Sequence, residues 1–162
     1  GQYGKQPAPG LMSALSALIE REIALISRFV SVLHEEQDTL KHARIAELPA
    51  LTDEKSRLVE QLNALEAERL ATLGLGRQPG VMEDWLKTHG AERPAAELWK
   101  KLLELARQAK TTHELNARLL AMHARQTNEL LAALTQQSEK PALYGASGQT
   151  LPGSGSRIID SA

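Results

Sequence analysis

Cysteine is absent from this 162-residue chain. That removes thiolate nucleophiles, disulfides and every zinc site built on sulfur, and it suits a reducing compartment. Aromatic residues are nearly as scarce, with one Phe, two Tyr and two Trp. Charge of one sign is missing too: 19 Lys and Arg stand against 20 Asp and Glu, a formal net charge of -1. No field of that kind draws in phosphate backbones or acidic membranes, so nucleic acid is excluded as the expected partner. No uninterrupted apolar run approaches the roughly 20 residues that cross a bilayer, and no signal-peptide core follows the polar start Gly1 to Gly10. Alternating strand patterns, Gly-X-Y periods and solenoid repeats are also lacking.

What is present is helical material. Leu, Ala, Glu, Gln, Lys and Arg dominate, residues that lose little rotamer freedom in a helix. Hydrophobic residues make up 42% and charged residues 24%, the balance of a folded chain with a single core. After Pro9 and Gly10, apolar residues recur on two neighbouring stripes. Leu11, Leu15, Leu18, Leu25, Phe29 and Val32 form one; Ile19, Ile23, Ile26, Val30, Leu33 and Leu40 form the other. Steps of three and four predict a helix over 11–42, and two stripes predict contact with at least two other helices.

A second series, Leu48, Leu51, Lys55, Leu58, Leu62, Leu65, Arg69 and Leu73, predicts a helix over 45–73, with Pro49 in its first turn. The run Leu73-Gly-Leu-Gly-Arg-Gln-Pro-Gly80 predicts a turn. Residues 81–89, carrying Trp85 and Leu86, read as a short helix closed by Gly90. From Pro94 a third long series runs through Leu98, Leu102, Leu105, Ala109, Thr112, Asn116, Leu119, His123, Gln126, Leu130 and Ala133, giving a helix over 94–138. At 1.5 Å per residue it would be roughly 65 Å long, longer than either predecessor, so a bend or an overhang is expected. The expected architecture is all-α: an elongated antiparallel three-helix bundle or coiled coil over 11–139, with a short extra helix in its second connection. Flexible ends are expected over 1–10 and 140–162, the latter rich in Pro, Gly and Ser.

Motifs of catalysis do not assemble. A carboxylate-bridged metal bundle needs Glu-x-x-His pairs, and the chain has none. His34-Glu35 and His113-Glu114 begin like a zinc-protease helix but lack its second His. His34, Asp38 and His42, spaced by fours, share one helical flank, and a solvated polar surface accounts for them better than a metal site. The glycines of 74–80 lack the strand and the Gly-Lys-Ser/Thr of a phosphate loop. No catalytic residue, metal or cofactor is therefore assigned. Asn116, His123 and Gln126 stand on the apolar stripe of the last helix, where buried polar groups need partners and often set register. Trp85 and Trp99 read as core plugs.

Three segments carry a family resemblance. Leu33-His-Glu-Glu-Gln-Asp-Thr-Leu40 is followed by Glu47-Leu-Pro-Ala-Leu-Thr-Asp-Glu-Lys55 with Leu58, Leu62 and Leu65; then come Asn116-Ala-Arg-Leu-Leu120 continuing to Glu129-Leu-Leu-Ala-Ala-Leu134, and Leu143-Tyr-Gly-Ala-Ser-Gly-Gln149. In this order they resemble the FlgN family of flagellar export chaperones over most of the chain. The resemblance implies a bacterial cytoplasmic chaperone that binds hook-associated proteins, prevents their early assembly and delivers them to the type III export gate. It also implies that clients dock on the last helix, which nominates Leu119, Leu120, Leu130, Leu131 and Leu134. The tail is left two roles, ordering on the client or touching the gate; Ile158 and Ile159 are assigned to the first and Tyr144 to the second.

The physical premise is that the chain has more apolar helical surface than one monomer hides. That surplus suits a client helix, and self-association into a homo-oligomer satisfies it as well. Two other readings compete: a structural coiled-coil adaptor without a secretion role, and a metal-dependent bundle enzyme.

Overall fold

The computed structural model describes residues 9–142, with side chains over 14–136. The elements are α1 (Pro9–Lys41), a 3-10 turn (Ile45–Glu47), α2 (Leu48–Leu73), α3 (Val81–Thr88) and α4 (Arg93–Ala142). Among the described residues there is no strand, and no helix is long and apolar enough to cross a membrane.

The wide apolar face made by the two stripes of α1 serves two neighbours, for α1 packs against both α4 and α2. Leu15, Ile19, Ile23, Ile26, Val30 and Leu33 form one cluster with Met82 of α3 and Ala95, Leu102 and Ala109 of α4. Leu18 and Val32 are buried outside that cluster, and Leu58, Leu65 and Leu70 of α2 are buried as well. Leu25 and Phe29 are only half-buried. Leu11 lies outside the described side chains.

Two caps turn the chain between α1 and α2 and between α2 and α3. Gly74 takes the left-handed conformation with φ 69°, and the amides of Gly74 and Leu75 return to the carbonyls of Ala71 and Leu70 at 3.1 and 2.9 Å. This double bond satisfies the last carbonyls of α2. Ala43 closes α1 in the same way, with φ 55° and bonds from Ala43 and Arg44 to Leu40 and Thr39 at 3.2 and 2.9 Å. The expected start of the second helix at 45 is corrected: that turn is 3-10, and the α-helix begins at Leu48, with Pro49 in its first turn. A proline fits there because first-turn amides have no helical acceptor.

Hydrogen bonds fix the directions. Asn116 reaches the Leu33 carbonyl and His123 the Leu40 carbonyl, both 83 residues apart, so α4 runs parallel to α1. Glu22 meets Arg69 and Glu36 meets Lys55, which step in opposite senses, so α2 is antiparallel to α1. At that register α1 ends level with about Ala124, and α4 runs on to Ala142, an overhang of roughly 27 Å. The last helix therefore overhangs, and it stays helical through Thr111 and Thr112, whose β-branched side chains are weak helix formers. Its expected end at 138, with a tail from 140, falls short: the helix includes Pro141, which in a final turn removes only one backbone bond. Residues 1–8 and 143–162, where the flexible ends are expected, lie outside the described residues.

Candidate helix-binding surface

Along α4 the stripe facing α1 stays covered only while α1 accompanies it. Leu102, Ala109 and Asn116 are buried, and His123 is half-buried. Beyond His123 the same stripe emerges: Leu130 is 60% exposed, and Leu131 and Leu134 are each 50% exposed. Gln126, expected among the buried polar groups, is exposed, because α1 has already ended at its level. Of the nominated residues, the structure brings Leu130, Leu131 and Leu134 together on the overhang and leaves Leu119 and Leu120 half-buried beside the bundle. Tyr144, Ile158 and Ile159 lie outside the described residues.

Below the overhang, polar residues brace the bundle. Glu36 of α1 accepts from Lys55 of α2 at 2.7 Å and from Asn116 Nδ2 at 2.9 Å, and the same amide reaches the Leu33 carbonyl at 2.8 Å. Asn116 Oδ1 is buried without a partner. Two heptads earlier, the Arg69 guanidinium grips both carboxylate oxygens of Glu22 at 2.8 and 3.2 Å and lies 4.6 Å over the ring of Trp99 on α4. Burial pushes the Glu22 carboxyl above its ordinary range, and Arg69 pulls the other way. Each brace ties three helices around one charge pair, buried for Glu22–Arg69 and part-buried for Glu36–Lys55, so sliding α2 along α1 by a turn would strand a charge. This pattern was present in the second series, where Lys55 and Arg69 occupy apolar positions; charges on a seam are the signal that buried partners exist.

The tryptophans close the α3 end. Trp99 donates through Nε1 to Glu83 at 2.9 Å, and Trp85 stacks on His89 with centroids 3.9 Å apart. Both pack against the core. Glu92, whose carbonyl receives the first amide bond of α4, is 1% exposed, and neither carboxylate oxygen has a partner. Its carboxyl is held above the ordinary range by burial, against an opposing pull from His89.

On the flank of His34, Asp38 and His42, the Asp38 carboxylate is already engaged. Arg44 donates to Asp38 at 2.7 Å, and His42 Nδ1 lies 3.2 Å from the same carboxylate. The Arg44 bond holds the Asp38 carboxyl below its usual range. Among the described residues no three His, Cys, Asp or Glu side chains are grouped as a metal would require.

An all-helical bundle braced by polar contacts between its helices, with one long helix that outruns its neighbours and exposes leucines there, is the class of protein the fold defines. Within that class the chain belongs to the FlgN family: the family model described as FlgN protein matches residues 11–152. The flagella synthesis protein FlgN of Salmonella typhimurium is 28% identical over 141 residues, covering 86% of this chain and 91% of its own length. The protein of the same name from Proteus mirabilis is 26% identical over the same shares. No solved structure matches the chain. The family is one of flagellum synthesis. Its match takes in Tyr144 and stops short of Ile158 and Ile159.

Proposed function

We propose that this chain is a flagellar export chaperone, working in the bacterial cytoplasm, that holds an amphipathic terminal helix of a hook-associated protein against the exposed ridge of α4. It keeps that helix from assembling early and delivers the client to the type III export apparatus. The observation that carries the reading is exposed leucine on the overhang: Leu130, 60% exposed, continues the seam that α1 covers lower down, and Leu131, 50% exposed, flanks it. A client helix laid there takes up the line of α1 and buries its own apolar stripe in the manner of helix-in-groove recognition. The reading assigns no catalytic residue and no cofactor, and it leaves contact with the export gate to the segment around Tyr144.

The test is a Leu130→Glu/Leu131→Glu double variant co-expressed with a hook-associated protein. Two leucines desolvated on binding contribute about 1.5–3 kcal/mol each, so capture should weaken by at least about a hundredfold. Helicity and melting temperature should be unchanged. Capture at full strength by the folded variant would remove the ridge as the client surface and leave a structural adaptor as the better description.

A further inference from the structure

A second apolar strip on α4 is turned away from the client ridge. Leu115, Leu119 and Met122 follow one another at steps of four and three, so they share one helical line. Leu115 is 37% and Met122 49% exposed, with Leu119 half-buried. At 100° per residue this line lies about a quarter turn from the Asn116–His123 line that faces α1. It is also on the side opposite Trp99, which meets Arg69 of α2, so α1 borders the strip and α2 does not reach it.

Its rims are positive. Arg118 and Arg125, one heptad apart on the outer flank, are exposed, and neither has a carboxylate partner among the described residues. Lower on the same helix, Lys100 and Arg107 are paired with Glu97 and Glu104. Between Glu114 and Glu129 the helix contains no acidic residue, and neither of those two pairs with Arg118 or Arg125. On the inner flank the exposed Lys41 ends α1 level with the strip. Apolar seam positions flanked by unpaired cations of one sign are half of a heterotypic helix pair, the complementary half being an apolar seam flanked by carboxylates.

We infer that this strip docks an acidic amphipathic helix of a second protein, its apolar residues on Leu115, Leu119 and Met122 and its carboxylates facing Arg118 and Arg125. The inference is independent of the client reading. Leu130 and Leu134 continue the line that faces α1, so a helix on the strip and a helix on the ridge occupy different sides of α4 and do not exclude one another. The charges steer encounter and select the partner's sign, while the apolar strip supplies the hold.

Two labelled synthetic helical peptides test it on the full chain by fluorescence anisotropy. Both carry Leu at the seam positions, one with Glu at all flanking positions and the other with Lys; like charges keep each peptide from pairing with itself. The Glu peptide should bind at least about tenfold more tightly than the Lys peptide, with the preference fading as salt is raised. Arg118→Glu/Arg125→Glu should reverse the preference, Met122→Asp should weaken both peptides, and Leu130→Glu/Leu131→Glu should change neither. Amide shift mapping on the unaltered chain should move resonances of 115–125. Failure of the Glu peptide to bind, equal binding of the two peptides, an unreversed preference in a folded charge-swap variant, or loss of binding in the ridge variant would each overturn the inference.

Discussion

Ala43 and Gly74 perform the same task with unequal chemistry. Each ends a helix in the left-handed region, at φ 55° and 69°, and each returns the last amides to waiting carbonyls. Glycine meets no steric cost there, whereas a Cβ costs about 1 kcal/mol. Ala43→Gly should therefore stabilise the protein by up to about 1 kcal/mol, read as a higher midpoint in urea. Glu92 is a liability of another kind. Its carboxyl is buried without a partner and titrates above the ordinary 4.5. The folded state thus holds the proton more tightly than the unfolded chain does. The stabilising effect of protonation is complete below 4.5 and is lost as pH rises through the higher folded value. Glu92→Gln should raise the melting temperature at neutral pH and give no advantage below the unfolded value, which thermal melts across that range will show.

Among the elements, α1 is the keel. Its wide apolar face packs against both α4 and α2, and its Glu22 and Glu36 hold charged side chains from α2 at two levels. Such pairs add little net stability compared with apolar replacements but are costly to break singly. Arg69→Met should destabilise by about 3 kcal/mol, because Glu22 is then buried alone. The double variant Glu22→Leu/Arg69→Met should regain most of that loss in denaturant melts. If the single variant is as stable as the parent, Glu22 finds water or a neutral form at no cost, and the brace does not hold register.

For the whole molecule, the parallel register of α1 and α4 decides where surface is left over. Both helices start at nearly the same level, and α4 is the longer, so the surplus emerges at one end. Cutting the chain after Gln126 should leave the melting temperature within a few degrees of the parent, because Leu130, Leu131 and Leu134, which it removes, are already half or more exposed. Client capture should disappear with it. A collapse of stability on truncation would show that the overhang belongs to the cooperative core.

The helical class, the long elements and the turn at Gly74 were legible in the residues themselves, since period and breaker signals are local and survive without tertiary context. The ridge leucines follow from the family resemblance, whereas their exposure does not. Several features needed three dimensions: the end of α4 beyond Pro141, the exposure of Gln126, the buried role of Arg69 and the part-buried one of Lys55, and the positive strip around Met122. A stripe of leucines reads the same whether a neighbour covers it or stops short. Coverage depends on how far one helix reaches beside another, and that distance is set by the register Glu22, Glu36, Asn116 and His123 impose between segments far apart in the chain.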